Sequence, residues 1–275
     1  MCLECGCGLP GPTRVDGKPL HDHDDGHEHG HDHGPPHEHG HGHPHDHAHE
    51  PRATREVEVF QSLFAANDRQ AERNRGVFSA HDLLVLNLVS SPGSGKTTLL
   101  VKTIERLAPG TRTCVVVGDL ETDNDARRLR TTGAPVVQIS TGTLCHLDAG
   151  MVARASGSLP LRELDLLFIE NVGNLVCPSE FDLGEDLRVV LLSVPEGEDK
   201  PLKYPPLFRG AHAVVVTKTD LAEPCAFDRE TALANLRRVN PTARVFELSA
   251  KTGAGMDAWC AWLAASRKKD AAGTR

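Results

Sequence analysis

Three thiols, Cys2, Cys5 and Cys7, and thirteen of the chain's sixteen histidines, all between His21 and His49, precede a glycine-rich run, Ser91-Pro-Gly-Ser-Gly-Lys-Thr-Thr98. Thiolate and imidazole are the donors that borderline transition metals prefer, whereas a glycine loop closing on Lys-Thr holds polyphosphate and magnesium. Two chemistries share one polypeptide. Three thiolates with a backbone or terminal amine suit square-planar Ni(II), and tetrahedral Zn(II) accepts the same thiols with one more ligand. A redox Cys-x-x-Cys normally opens a helix after a strand, and no strand precedes position 2. The His-x-His repeats are broken by Asp, Glu, Gly and Pro. Their imidazoles are mostly neutral at cytosolic pH, and each transient site is weak, which suits storage or buffering.

The apolar run over 84–89 feeds the glycine loop directly, and a helical pattern follows it, the context that a phosphate-binding loop requires. Gly93, Ser94 and Gly95 bring backbone amides to the phosphates, Lys96 reaches the β and γ oxygens, and the Thr97 hydroxyl ligates Mg²⁺ beside Thr98. Ser90 stands where the strict pattern has Gly. Downstream, Thr217-Lys218-Thr219-Asp220 and Ser249-Ala250-Lys251 each follow an apolar run. The pair resembles the guanine-reading elements of GTPases, with Thr217 in place of the usual Asn. An aspartate accepts hydrogen bonds from guanine's ring N–H and exocyclic amine, and adenine offers no matching donors, so GTP is the expected nucleotide. Asp119 and Glu170 end two further apolar runs and are candidates for handling magnesium and water. Glu170-Asn171-Val172-Gly173 resembles the Asp-x-x-Gly switch that follows the γ-phosphate, with Gly173 as its sensor. The competing reading of Asp119 is a turn or helix-cap residue, and for Glu121 that reading is the better one. No arginine finger is evident.

A second metal candidate lies inside the nucleotide-binding stretch. Cys145-His146 precede a helix start, and Cys177 follows Glu170 by seven residues, within the segment that the nucleotide should move. Cys145, His146 and Cys177 become ligands only if they meet; separately, each cysteine is more often a small buried hydrophobe. Cys114, Cys225 and Cys260 read as structural, and His81 and His212 carry no signal.

Positioning these groups requires a layered fold. Apolar runs over 84–89, 113–117, 136–139, 166–170, 188–194, 213–216 and 244–248 alternate with helical patterns over 97–107, 124–132, 147–156, 228–239 and 255–265. That alternation predicts an α/β fold, a mostly parallel sheet with helices on both faces, whose ligands bind at the carboxyl ends of the strands. Ahead of it, 55–75 places Phe60, Leu63, Phe64 and Ala71 near helical spacing, which predicts an amphipathic helix. Residues 8 to 50 have no apolar periodicity and are expected to be disordered without metal. The organisation is therefore a Cys/His-rich tail over 1–50, a helical lead-in over 51–80 and a nucleotide-binding domain over 81–270.

The formal charge of -8 resides in the tail, where ten acidic residues meet only Arg14 and Lys18. A neutral remainder gives no basic surface for nucleic acid or an anionic membrane. There is no secretory start and no uncharged run near the roughly 18 residues of a membrane span, so a cytoplasmic location with reduced thiols is expected.

In combination, Cys2-x-x-Cys5-Gly-Cys7, the His-rich insert, Ser91 to Thr98, Gly118-Asp119, Cys145-His146-Leu147-Asp148, Glu170 to Pro178 and Thr217 to Asp220 resemble the HypB family of hydrogenase nickel-incorporation GTPases. The resemblance implies a P-loop GTPase of the dimerising branch that hydrolyses GTP slowly. It also implies nickel delivery to the large subunit of nickel-iron hydrogenase with a HypA accessory protein, and a homodimer that depends on nucleotide and metal. By that resemblance Cys2, Cys5 and Cys7 form a tight nickel site, and Cys145, His146 and Cys177 a nickel or zinc site at the dimer interface. The related urease accessory GTPases share the fold and often a His-rich start, but their Cys-Pro-His motif is absent here. A passive nickel store with a vestigial nucleotide site is the reading from another class, disfavoured by the intact Lys96, Thr97 and Asp220.

Overall fold

The computed structural model describes residues 14–16, 18–19, 52–120 and 122–273. Cys2, Cys5, Cys7, the His21 to His49 tract and Glu121 lie outside the described residues. The elements run β1 (Arg14–Val15), β2 (Lys18–Pro19), α1 (Arg52–Ser79), β3 (Leu84–Ser90), α2 (Lys96–Leu107), β4 (Thr113–Asp119), α3 (Asn124–Arg130), β5 (Val136–Ser140) and α4 (Ala149–Ser156). They continue β6 (Leu166–Glu170), β7 (Leu187–Ser193), the short α5 (Lys200–Lys203) and α6 (Pro205–Arg209), β8 (Ala213–Thr217), α7 (Arg229–Val239), β9 (Arg244–Glu247) and α8 (Met256–Gly273).

Strands β3 and β6 are buried at every position because helices cover both faces of the sheet, which is why they read as apolar runs rather than alternations. The period of two still sorts their side chains. Leu84, Leu86 and Leu88 join Leu99, Leu100, Ile104 and Trp259 of α2 and α8, whereas Val85, with Cys114, Val116 and Ile169, packs against Phe78, Met151 and Val152 of α1 and α4. A third cluster gathers Val89, Val190 and Val216 against Leu207, Phe208 and Leu236 of α6 and α7. Cys114 is confirmed as a core residue, its thiol pushed up to about 12 by burial. Cys260 is half-buried against the first cluster, and Cys225 is exposed.

The sheet order is β2-β1-β5-β4-β6-β3-β7-β8-β9, with every pair from β5 to β9 parallel. Parallel register brings the last residues of these strands, Ser90, Asp119, Glu170, Ser193 and Thr217, to one edge. The phosphate loop leaves that edge from β3, which is flanked by β6 and β7.

Three expectations are corrected. Within the stretch predicted to be disordered, β1 and β2 pair antiparallel, and β1 adds to β5 with Arg14 opposite Ser140. The exposed hydrogen-bonding edge of β5 supplies the reason, and Asp16 extends the pairing by accepting the Gln138 amide at 3.1 Å. Two-residue strands leave no periodicity to read. On α1 the face turned inward is Phe64, Asn67, Ala71, Asn74 and Phe78 at alternating three- and four-residue steps, whereas Leu63 is 53% exposed. The buried stripe contains two asparagines, which hydrophobic periodicity passes over. Helix α4 begins two residues after the predicted 147 because Asp148 caps it, its Oδ1 accepting the Met151 amide at 2.7 Å. Among the described residues no helix is long and apolar enough to cross a membrane.

Candidate functional site

The turn between β3 and α2 closes on Gly95, whose φ of 96° is the left-handed conformation that an L side chain resists. The loop borders a cleft of about 500 Å³, lined also by Lys96, Thr97, Thr98, Asp119, Asp125, Arg128, Glu170 and Gly173. The amides at the start of α2 face it with no side-chain cap, the arrangement in which a helix amino terminus binds phosphate. Lys96 is buried and its Nζ donates to Ser90 Oγ at 3.0 Å, so the serine in the loop's first position is where the ammonium rests. Burial holds the lysine below its ordinary range, only partly opposed by Glu170.

Glu170 is a buried carboxyl under electrostatic strain. Burial pushes its carboxyl up to about 7 against the opposing pull of Lys96 and the Thr97 hydroxyl. Thr97 Oγ1 donates to Oε1 at 2.7 Å, while the buried Oε2 has no hydrogen-bond partner. An orphaned carboxylate oxygen beside a threonine hydroxyl, with Asp119 and Asp125 in the same cleft, is an all-oxygen donor set of the kind Mg²⁺ takes. Gly173 lies so close over the loop that an added Cβ would fall 2.8 Å from Pro92 Cα.

A second recess of about 260 Å³ shares Gly95, Thr98 and Lys218 with the cleft and is lined by Asp220, Ser249, Ala250 and Lys251. The elements are brought together as their order in the chain predicts. Ser249 Oγ donates to Asp220 Oδ1 at 2.6 Å, and Lys218 Nζ donates to the Gly93 carbonyl at 2.6 Å. Thr217, standing in for the usual asparagine, donates through Oγ1 to the Ser94 carbonyl at 2.8 Å and so ties β8 to the phosphate loop.

Three groups at the phosphate loop or the cleft were not singled out by motif. Glu196 Oε2 accepts from Ser94 Oγ at 3.0 Å and from Ser193 N and Oγ at 2.9 and 2.7 Å. Burial pushes its carboxyl up, but the hydrogen bonds from Ser91, Ser193 and Ser94 outweigh that and hold it below the ordinary range. Arg128 donates to Thr98 Oγ1 at 2.9 Å, placing a guanidinium at the cleft although no sequence feature marks it. Asn171 lines the cleft and is 1% exposed. Its Oδ1 accepts the amides of Val172 at 3.0 Å and of Leu147 at 3.3 Å, and its Nδ2 donates to Asn87 at 3.3 Å.

Leu147 is the residue after His146, so that bond leads to the second candidate. The donor atoms of Cys145, His146 and Cys177 all lie within 4.8 Å of one another, the two sulfurs at 3.0 Å. The imidazole stacks on Phe181 with centroids 4.1 Å apart. Burial lowers its pKa against the opposing pull of Asp148 and so favours the neutral form, and its buried Nδ1 has no hydrogen-bond partner. Two sulfurs and an available imidazole nitrogen form a donor set suited to a borderline transition metal.

The model for the CobW/HypB/UreG nucleotide-binding domain matches residues 84–247. The hydrogenase maturation factor HypB of Azotobacter chroococcum is 54% identical over 214 residues, covering 78% of this chain and 70% of that protein. The hydrogenase/urease maturation factor HypB of Helicobacter pylori is 43% identical over 203 residues, 72% of this chain and 82% of the relative. The crystal structure of Helicobacter pylori HypB in complex with nickel superposes with a TM-score of 0.72 at 41% identity, covering 74% of this chain and 96% of that one. The chain belongs to the CobW/HypB/UreG family of nucleotide-binding domains and, within it, to the HypB hydrogenase maturation factors.

Proposed function

We propose that this protein is a GTP-hydrolysing nickel metallochaperone that assists nickel insertion into the large subunit of nickel-iron hydrogenase. Gly93, Ser94, Gly95, Lys96, Thr97 and Thr98 hold the phosphates, Lys96 moving from Ser90 to the β and γ oxygens. Lys218, Asp220, Ser249, Ala250 and Lys251 read guanine. Thr97 and Glu170, with Asp119, would hold Mg²⁺, which supplies charge neutralisation to the phosphates. Gly173 follows the γ-phosphate. Turnover is slow, about 10⁻⁴ to 10⁻³ per second, as in unassisted small GTPases.

Cargo metal, nickel or zinc, binds at Cys145, His146 and Cys177, and more tightly at Cys2, Cys5 and Cys7, while the His tract buffers nickel. The working unit is a cytoplasmic homodimer formed on nucleotide and metal, which engages a HypA-like accessory protein and the hydrogenase subunit. The division into a tail over 1–50, a lead-in over 51–80 and a GTPase domain over 81–270 follows these roles. One observation carries the reading: Glu170 and Cys177 belong to one short segment, and Asn171 within it bonds to Leu147 beside His146. The name of the Helicobacter pylori relative favours urease as a second client.

The test is metal affinity of a Cys2/Cys5/Cys7→Ala chain with GDP and with a non-hydrolysable GTP analogue. The affinities should differ, and the analogue's own affinity must change by the same factor on metal binding, about 5- to 150-fold. Identical values in both states would leave two unconnected sites and favour storage. Hydrogenase and urease activities in a deletion strain, with and without excess nickel, identify the client.

A further inference from the structure

The metal donors come from two backbone segments that are remote in sequence, Cys145-His146 ahead of α4 and Cys177 ahead of the stretch Phe181 to Glu185. Helix α1 grips both. Asn67, 8% exposed, donates from Nδ2 to the Asp182 carbonyl at 2.8 Å and accepts on Oδ1 from the Ala149 amide at 2.9 Å. Two turns on, Asn74 donates from Nδ2 to the Ala149 carbonyl at 2.8 Å and the Leu183 carbonyl at 3.0 Å. Both main-chain groups of Ala149, three residues past His146, and the carbonyls just beyond Cys177 are therefore held by one helix face.

The rest of that face repeats the grip. Arg75 forks onto the Asp182 carboxylate at 3.0 and 2.9 Å. Phe64 tilts against Phe181 at 5.3 Å, and Phe181 is the ring on which His146 stacks. Gly184, at φ +88°, passes so closely beneath α1 that an added Cβ would fall 2.6 Å from the Ala71 carbonyl oxygen. The Ala149 amide belongs to the first turn of α4, where helical bonding leaves donors without partners, and Asn67 supplies one.

We propose that α1 sets the spacing of the Cys145, His146 and Cys177 donors, with Asn67 as the positioning residue that staples their two segments. This rests on the reading of that triad as a transition-metal site. Metal bonds to thiolate and imidazole are about 2.3 and 2.0 Å long, so donors held near one another before binding lose little freedom on coordination. Groups that orient ligands from outside the coordination sphere change metal affinity by roughly 10- to 100-fold when removed.

The experiment uses the full chain with Cys2, Cys5 and Cys7→Ala, titrated with nickel and followed by thiolate-to-nickel absorption, which imidazoles of the His tract do not give. Asn67→Ala and Gly184→Ala should each raise the nickel concentration at half-saturation about 10- to 100-fold. Metal-free GTP turnover should stay unchanged in both, because neither residue touches the phosphate cleft. Asn67→Asp keeps the acceptor for Ala149 and loses the donor to Asp182, so it should fall between parent and Asn67→Ala, and it serves if the alanine variant does not fold. Leu63→Ala on the exposed face should titrate as the parent does. Unshifted nickel titrations in Asn67→Ala, Asn67→Asp and Gly184→Ala, with faster hydrogen exchange showing α1 loosened, overturn the proposal alone. A parent without thiolate absorption overturns the metal-site reading and the proposal with it.

Discussion

Asp220 shows how far a single residue type reaches. Its acceptor oxygens match guanine's two donors, and Ser249 already holds one of those oxygens in place. Asp220→Asn should weaken GTP and improve xanthosine triphosphate, since the amide donates to the extra carbonyl, with lost discrimination on the order of 10⁴ in competition binding. Unaltered GTP affinity would remove the guanine assignment. Glu170 makes a prediction in pH. Its folded value, about 7, lies above the ordinary 4.5, so the folded state holds this proton more tightly than the unfolded chain. The linked stability is complete below 4.5 and is lost as pH rises through about 7. Thermal unfolding of nucleotide-free Glu170→Gln should therefore lose that part of the pH dependence and gain at most about 3 kcal/mol over the parent above pH 8. A parallel pH profile in both proteins would show that the carboxylate is not the titrating group.

The elements decide whether these residues act together. The segment from Glu170 to Cys177 leaves β6 over the phosphate loop and ends beside Cys145 and His146, and Asn171 bonds it sideways to Leu147, two residues ahead of α4. Gly173→Ala tests the first contact: its Cβ would meet Pro92 backbone at 2.8 Å and lift the segment. GTP turnover should drop at least about tenfold, the loss expected when positioning is disturbed by an ångström or so. GDP affinity should stay within a few fold, because GDP lacks the γ-phosphate that Gly173 is proposed to follow. Equal losses in both would place the damage in the phosphate loop itself. The amphipathic helix was legible, but its inner face was not, because Asn67 and Asn74 meet carbonyls 115 and 109 residues away, and nothing local marks an amide that serves such partners.

At the scale of the molecule, a neutral domain follows a tail that carries the net charge and thirteen histidines. Deleting residues 21 to 49 should remove most nickel capacity in equilibrium dialysis while GTP turnover persists, since the phosphate cleft is built wholly from residues beyond them. Unchanged capacity would end the buffering role. The pairing of Arg14–Val15 with Lys18–Pro19 and with the edge of β5 shows that these residues join the sheet, and this pairing lies outside the deletion.

Local chemistry is what the sequence determines by itself. A glycine loop between an apolar strand and a helix, Asp220 with Ser249, and seven apolar runs spaced by helical patterns each carry their meaning within a few residues. Their physics is backbone geometry and periodicity, so they needed no partner to be read. Tertiary structure alone decided whether Cys145 and Cys177, 32 residues apart, would meet, where Lys96 would rest, that Glu196 would hold Ser94 of the phosphate loop, and that Arg128 and Asn171 would reach the cleft. Those outcomes depend on strand order and on which loops the parallel register delivers to one edge, and the free energy that selects them comes from burying both faces of the sheet at once.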